Sequence, residues 1–220
     1  MISRQFTHIS IITFILFNSS LIAQTDKPYE LLDRVKKNIS SKNIHYEFII
    51  ENNLPEINNS INGNLYLSSE KYVLLTSDIE QIFDGEKTYT IIHENEEVLI
   101  DNKENSILSL KPDILFDFLN DKYKLSMIKT TINTSTIKAE DNNNPGQFYE
   151  ISINVNDLSI IHIKQGREVI VLDDKSFEIG YYNIFKTISY SYNIVLPLSF
   201  FKFDKEKYKE YYLSILDWRF

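Results

Sequence analysis

Apolar and polar residues alternate along most of the chain, and this period-two pattern predicts β-strands. From Ile44 to Ile50 the apolar side chains occupy every second position, with His45 and Glu47 among the polar residues between them. Because successive side chains of a strand point to opposite faces, each such segment has one apolar face. The segments that follow this pattern are 44–51, 61–68, 71–79, 81–83, 87–93, 97–101, 123–132, 136–140, 147–155, 158–165, 168–174 and 185–194.

The stretch QIFDGEKTYTII predicts a β-hairpin. Two apolar runs meet at Asp84 and Gly85, and Asp-Gly between apolar runs is the strongest short hairpin signal. We expect a two-residue turn in which both central residues have φ > 0. Further turns are predicted at residues 141–146, 156–157 and 165–166.

Two segments instead have the period of an α-helix. Residues 25–41 have Pro28 near their start and apolar residues spaced three and four apart, and residues 110–121 have Pro112 in their first turn. In the tail, residues 201–204 predict a short strand, and the final eight residues predict a last edge strand.

These elements predict one continuous domain that is mainly β with a few helices. About eleven strands in a single antiparallel sheet would curve into an unclosed half-barrel, whose large apolar inner face must be covered. The two helices are the available covers, and we therefore expect them to form a helical lid.

The beginning of the chain has the pattern of a secretory signal peptide. Arg4 precedes an apolar run of roughly ten residues, which is shorter than the about 20 residues that a membrane-spanning helix needs. Small residues follow, and we expect cleavage after Ala23 or Gln24. The predicted division is a signal peptide at 1–24 and one mature domain at 25–220.

Composition excludes several kinds of function. The chain has no cysteine, so it has no disulfide, thiolate metal site or cysteine nucleophile. Its formal net charge is −8 and it has no Lys/Arg-rich cluster, which argues against nucleic-acid binding. The histidines that survive cleavage are far apart on predicted strands, where we expect them to face solvent. We therefore predict no metal, no cofactor and no enzyme activity; a secreted hydrolase with a carboxylate pair is the alternative that the sequence leaves open.

An ordered set of motifs is similar to one family. NIHYEFII follows the first helix, and after it come GNLYLSSEKYVLL, IFDGEKTYTII, KPDILFDFL, FKFDKEKY and a terminal ILDWR. In this order, over the whole mature chain, they resemble the LolA-type outer-membrane lipoprotein carriers, and most of all the divergent branch found in Bacteroidetes-type bacteria. The DG-K-T turn and the end of the chain are the most specific parts of the match.

The resemblance implies an unclosed half-barrel with a helical lid, located in the periplasm. It implies a monomeric chaperone that binds the acyl chains of lipoproteins in an apolar cavity and shuttles them from the inner to the outer membrane. The implied partners are acylated lipoproteins, an inner-membrane lipoprotein-releasing ABC transporter and, where one exists, an outer-membrane acceptor. The carrier itself hydrolyses nothing.

One position departs from the family pattern. Better-known carriers have a basic residue in the loop after the G-x-L-x-V strand, where it helps to regulate lid opening, whereas this chain has Ser68, Ser69 and Glu70. This departure leaves undecided which residues hold the lid closed in this chain. It also motivates an alternative function: a LolA-like periplasmic binding protein for another lipid or glycolipid, or a sensor of envelope lipids.

The candidate acyl-binding residues are the apolar side chains of alternating strand positions, although ordinary core packing is the alternative for any one of them. The candidate lining residues are Tyr46, Phe48, Ile50, Leu65, Leu67, Leu74, Tyr89, Ile91, Ile100, Leu125, Met127, Ile151 and Ile153. The candidate lid residues are Leu32 and Val35 in the first helix and Leu115, Phe118 and Leu119 in the second.

Overall fold

The computed structural model describes residues 27–52, 60–68, 71–102, 122–170 and 177–216. Within these ranges the chain forms one α-helix, one short 3₁₀ helix at Leu198–Phe201 and a single sheet of twelve strands. The helix is α1 (Pro28–Ser40), and the strands are β1 (Asn43–Asn52), β2 (Ile61–Ser68), β3 (Lys71–Thr76), β4 (Ile79–Phe83), β5 (Thr88–Ile92), β6 (Glu97–Asp101), β7 (Tyr123–Thr130), β8 (Thr134–Asp141), β9 (Gln147–Asn154), β10 (Ile160–Ile170), β11 (Phe177–Tyr192) and β12 (Tyr212–Leu216).

The sheet has two edges and does not close on itself. Its strand order is β12-β6-β5-β4-β3-β2-β1-β11-β10-β9-β8-β7, so two antiparallel meanders meet where β1 pairs with β11. This mainly β, unclosed sheet with a helix against one face confirms the predicted fold class. One pair differs from the antiparallel prediction: β12 returns along the outside of β6 and pairs with it in parallel.

The first predicted helix is confirmed as α1. Pro28 lies in its first turn, where a missing N–H costs no hydrogen bond. The Lys37 ammonium and the Asp33 carboxylate, one turn apart, are 2.6 Å from each other on the exposed side. The opposite side is apolar and buried, and it packs against one face of the sheet through Leu31, Leu32, Val35 and Ile39. We call this face of the sheet the inner face and the opposite one the outer face.

Several predictions concern residues that the structure does not describe. The signal peptide at 1–24, the second helix at 110–121 and the loop residues Ser69 and Glu70 all lie outside the described ranges. The same holds for the lid candidates Leu115, Phe118 and Leu119. In the part of the chain that the structure describes, α1 is too short and too polar to cross a membrane.

The Asp84 hairpin is confirmed, but its turn differs from the prediction. The connection has four residues, and only Gly85 has positive φ, at 102°. The Asp84 carboxylate accepts hydrogen bonds from the backbone N–H groups of Glu86 and Lys87, both at 2.9 Å. These bonds stabilise an Asx-type turn, so Asp84 itself does not need the left-handed conformation.

Two other local predictions were wrong. Residues 165–166 do not form a turn, because β10 continues through them from Ile160 to Ile170. Gly166 lies directly beside the ring of Phe148 on the neighbouring strand, so its lack of a side chain serves packing instead of a turn. Residues 201–204 do not form a strand either; the 3₁₀ helix ends at Phe201, and an irregular segment follows.

This irregular segment packs on the outer face of the sheet. The Phe203 ring stacks between two tyrosines, at 4.6 Å from Tyr89 and 5.5 Å from Tyr208, measured between ring centroids. The Tyr208 hydroxyl donates to the Glu80 carboxylate at 2.6 Å, and Lys207 contacts the same oxygen at 3.1 Å. The outer face therefore has its own aromatic core, separate from the inner one.

Candidate functional site

The inner face is a continuous apolar surface that extends across most of the sheet. Cross-strand pairing aligns apolar residues in rows, as in Tyr46, Leu65 and Leu74 on three adjacent strands. In the other half of the sheet, beyond β11, a similar row consists of Ile163, Ile151 and Ile137. All these side chains belong to the one cluster that also contains the apolar side of α1.

Ten of the thirteen candidate lining residues lie together on this inner face. Seven are buried and three, Ile50, Leu125 and Met127, are half-buried at its periphery. The seven buried residues are Tyr46, Phe48, Leu65, Leu67, Leu74, Ile151 and Ile153. Two lid candidates, Leu32 and Val35, contact the same cluster from α1.

The remaining three candidates lie on the outer face. Tyr89, Ile91 and Ile100 belong to the aromatic cluster beneath the segment that follows the 3₁₀ helix. In β5 the residues on the inner face are instead Thr88 and Thr90. Both faces of this strand are covered, so its apolar residues do not identify the inner face. The structure therefore does not bring these three residues together with the other ten.

The β3–β5 part of the inner face has polar side chains among its apolar ones. The buried Tyr72 hydroxyl donates to the Gln81 side-chain oxygen at 3.0 Å, and the Gln81 amide donates to the Thr90 hydroxyl at 2.8 Å. Such a chain of bonds keeps buried polar atoms satisfied beside an apolar surface. The sequence pattern does not reveal this network, because alternation assigns only apolar residues to the inner face and Gln81 and Thr90 are polar.

Three tyrosines lie on the inner face of the central strands β1 and β11, beside the C-terminal turn of α1. Tyr190 and Tyr192 of β11 pair with Tyr46 and Ile44 of β1. Strict alternation along residues 185–194 would place Ile188 on the same face as these tyrosines. A bulge in β11 instead leaves Ile188 without a partner on β1, and 57% of its surface is exposed. The alternation pattern does not show this bulge, whose extra residue shifts the alternation of side chains by one position.

The hydroxyls of this tyrosine group have different surroundings. The Tyr190 hydroxyl donates to the Asp157 carboxylate in the turn between β9 and β10. The Tyr46 and Tyr192 hydroxyls are near enough to affect each other's pKa. Both oxygens are buried, and neither has a partner placed at the distance and angle of a hydrogen bond. Burial raises the pKa of Tyr46 well above its ordinary value, and burial with the nearby Asp157 charge raises the pKa of Tyr192 to about 12. Both hydroxyls therefore keep their protons at neutral pH.

Two open clefts lie away from the α1 side of the sheet. One, of about 390 Å³, is bordered by Glu47, Asn62, Asn64 and Ile188. The other, of about 320 Å³, lies beside the Glu80 and Tyr208 pair and has an apolar floor that includes Leu75. Their rims are polar and do not select a particular class of ligand.

The histidines were predicted to face solvent; His93 does, whereas His45 and His162 are half-buried. His162 lies on the outer face, and its Nε2 is 3.2 Å from the Ser152 hydroxyl. Burial lowers the pKa of His162, and the charges of Lys186 and Lys164 lower it further against the opposing effect of Glu150. No cluster of three potential metal-ligating His, Asp or Glu side chains occurs among the described residues.

We expect this histidine to make stability depend on pH. The folded state holds the His162 proton less tightly than the unfolded chain does, so its contribution is complete above the unfolded pKa of about 6.5 and declines as pH falls below it. Urea unfolding at pH 7.5 and pH 5 should show a smaller acid loss for His162→Gln than for the wild type. The exposed His93→Gln variant serves as the control and should behave as the wild type; an equal loss in all three proteins would contradict the prediction.

The comparisons with known proteins give a likeness of fold. No family model matches the chain, and no curated protein matches it. Among solved structures, it is similar to an uncharacterized conserved protein from Thermus thermophilus, with a TM-score of 0.55, 10% identity, and coverage of 85% of this chain and 98% of that one. At this identity the match shows a shared fold alone.

Two further matches have names that relate to lipoprotein sorting. A LolA superfamily protein from Nitrosomonas europaea matches with a TM-score of 0.41 and 8% identity, over 78% of this chain and 97% of the other. A domain described as a putative outer membrane lipoprotein-sorting protein from Vibrio parahaemolyticus matches with a TM-score of 0.42 and 11% identity, over 83% and 98%. Matches at these TM-scores and identities say nothing about the function of this chain. Structures named as LolA superfamily proteins are thus among those to which this chain is similar.

Proposed function

We propose that this protein is a periplasmic carrier that binds the acyl chains of lipoproteins between α1 and the inner face of the sheet. The observation that supports this most is the inner face itself, an apolar surface continuous across most of an unclosed sheet. A closed barrel would fix the space inside, whereas a sheet with two free edges can change its curvature around a guest. The ordered motifs of the sequence point to the same function.

The physical task of such a carrier is to hold acyl chains firmly but reversibly. Each buried CH₂ group contributes about 0.8 kcal/mol, so complete burial of several chains would make release very slow. The half-buried residues Ile50, Leu125 and Met127 offer apolar contact at the periphery of the inner face. Met127 suits this role because its unbranched thioether side chain adapts to guests of irregular shape.

The finer parts of the proposal concern cargo and partners. In it, an inner-membrane ABC transporter loads the protein with a lipoprotein, and an outer-membrane acceptor, where one exists, receives the cargo. No catalytic step is needed, because the acyl chains of the cargo only move from the apolar site of one protein to that of the next. The cavity-lining role is proposed for the ten inner-face candidates and the lid role for Leu32 and Val35.

Cargo identification tests the proposal in the host. The mature chain would be isolated from the periplasm, and everything bound to it identified by mass spectrometry. Triacylated lipoproteins in near-equal amount would support the carrier. Free lipid or glycolipid without lipoprotein would support the alternative binding protein, and the absence of any acylated molecule would contradict both.

Two neighbouring residues of β7 provide a matched binding test. Met127 is half-buried on the inner face, whereas Ile128 lies at a bulge and 48% of its surface is exposed. We expect Met127→Gln to weaken binding of a fluorescent triacylated lipopeptide about tenfold, since it removes contact with roughly two CH₂ groups.

Ile128→Gln is the control for this test and should bind the lipopeptide as the wild type does. Glutamine is close to methionine in size, so thermal unfolding should confirm that both variants are folded. Equal affinities of the two variants would contradict a binding site on the inner face.

A further inference from the structure

The unbonded hydroxyls of Tyr46 and Tyr192 are the feature of the inner face that packing alone does not explain. Both oxygens are buried, and Tyr46 is fully buried as a residue. A buried hydroxyl without a partner destabilises a protein, and phenylalanine would fill the same space without that penalty. Two such hydroxyls in one group of tyrosines therefore indicate a partner that is a ligand.

The chemistry of the pair selects the kind of ligand atom. Both hydroxyls stay protonated at neutral pH, so both are available as hydrogen-bond donors. A carbonyl oxygen has two lone pairs and can accept from two donors at once. The ligand atom is therefore an acceptor, and one oxygen suffices for both tyrosines.

The surrounding charges favour a neutral acceptor over an anion. Burial alone would raise the pKa of Asp157, but hydrogen bonds from Ser159 and Tyr190 outweigh it, so the pKa lies below its ordinary value and the group is ionised. On the other side, the Lys42 ammonium lies 4.4 Å from the centre of the Tyr192 ring. The two charges have opposite signs, which leaves little net attraction for a phosphate or carboxylate.

We propose that Tyr46 and Tyr192 together bind a neutral carbonyl oxygen of the acyl cargo, that is, an ester or amide at the head of an acyl chain. This inference rests on the proposed function. The tyrosine group is then the polar part of the site, and the acyl chains extend from it along the apolar rows.

The C-terminal turn of α1 lies beside this pair, and its Asn38 side chain is close enough to Tyr192 to lower the pKa of that tyrosine. Asn38 donates to the Asp157 backbone carbonyl at 3.3 Å, and at the other end of the helix the Tyr29 hydroxyl donates to the Tyr123 carbonyl at 3.4 Å. Both bonds are long, and the apolar side chains of α1 supply its main attachment to the sheet. A ligand carbonyl reaches the hydroxyls by displacing this turn.

A matched pair of lipids tests the inference. A diacylglycerol and a dialkylglycerol ether with equal chain lengths and the same fluorophore differ only in their ester carbonyls. We expect the full mature protein to bind the ester about tenfold more tightly than the ether, since hydrogen bonds distinguish them. The Tyr46→Phe/Tyr192→Phe double variant should bind both probes equally, and its melting temperature should equal or exceed that of the wild type.

Tyr190→Phe is the matched control, because its hydroxyl already has a partner in Asp157. It should lower the melting temperature and keep the preference for the ester. If the double variant keeps that preference, or if Tyr190→Phe abolishes it, the inference is wrong. A fall in melting temperature of the double variant with an unchanged ester preference would assign the hydroxyls to an internal water. If neither probe binds to the wild type, the proposed function itself fails.

Discussion

Gly63→Ala should destabilise the protein by about 3 kcal/mol, because the new methyl group has no space on either side. A Cβ atom at position 63 would lie 2.6 Å from the tip of the Phe48 ring and 2.6 Å from the backbone carbonyl oxygen of Leu75. Phe48 is fully buried at the centre of the inner face, and Leu75 belongs to the neighbouring strand β3. Relief of both contacts would require movement of β3 as well as the ring. Urea unfolding measures the loss.

Gly166 provides a comparison that separates ring contact from backbone contact. A Cβ atom there would also meet an aromatic ring, at 2.5 Å from Phe148, and its three nearest atoms all belong to that ring. The smaller Phe148→Leu side chain should therefore recover most of the loss caused by Gly166→Ala. At position 63, Phe48→Leu should recover only a small part, since the Leu75 carbonyl stays in place.

A double-mutant cycle measures this difference directly. The coupling energy between positions 166 and 148 should be close to the whole cost of Gly166→Ala, and the corresponding fraction for positions 63 and 48 should be much smaller. Equal fractions, or a Gly63→Ala variant as stable as the wild type, would contradict the tight packing of β1, β2 and β3.

The architecture was predictable because most strands of the sheet have one strongly apolar face. That alternation locates β1, β2 and the strands from β7 to β9, and the four-residue spacing of Leu31, Val35 and Ile39 locates α1. The prediction failed where a single residue had two structural explanations. Gly166 fits a turn as well as a strand that passes beneath an aromatic ring, and only the neighbouring strand decides between them.

The candidate site was predictable in its residue types and less so in their arrangement. Alternation shows that two residues share a face, but it does not show which face of the sheet is covered by α1. Tyr89 and Ile91 resemble inner-face residues in sequence, yet the segment after the 3₁₀ helix covers them on the outer face. Bonds such as that from Tyr190 to Asp157 join distant segments, and no local pattern encodes them.

Leu32→Ala should reduce stability by about 2–5 kcal/mol and loosen α1 from the sheet. Leu32 is fully buried between the helix and the inner face, so its truncation leaves a cavity in the interface that attaches α1. We expect the amide hydrogens of α1 to exchange faster than those of the central strands β1 and β11. An apolar dye should also bind the variant more strongly than the wild type, since the inner face becomes accessible before the sheet unfolds.

Lys37→Ala, on the exposed side of the same helix, is the control for this variant. It removes the ion pair with Asp33 and should change stability by no more than about 0.5 kcal/mol, with no increase in dye binding. The exchange data decide between two roles for α1. If its amides exchange only when the strands do, α1 is a permanent part of the core and cannot open for an acyl chain. If they exchange first, the helix leaves an intact sheet behind, which is the physical requirement for a lid.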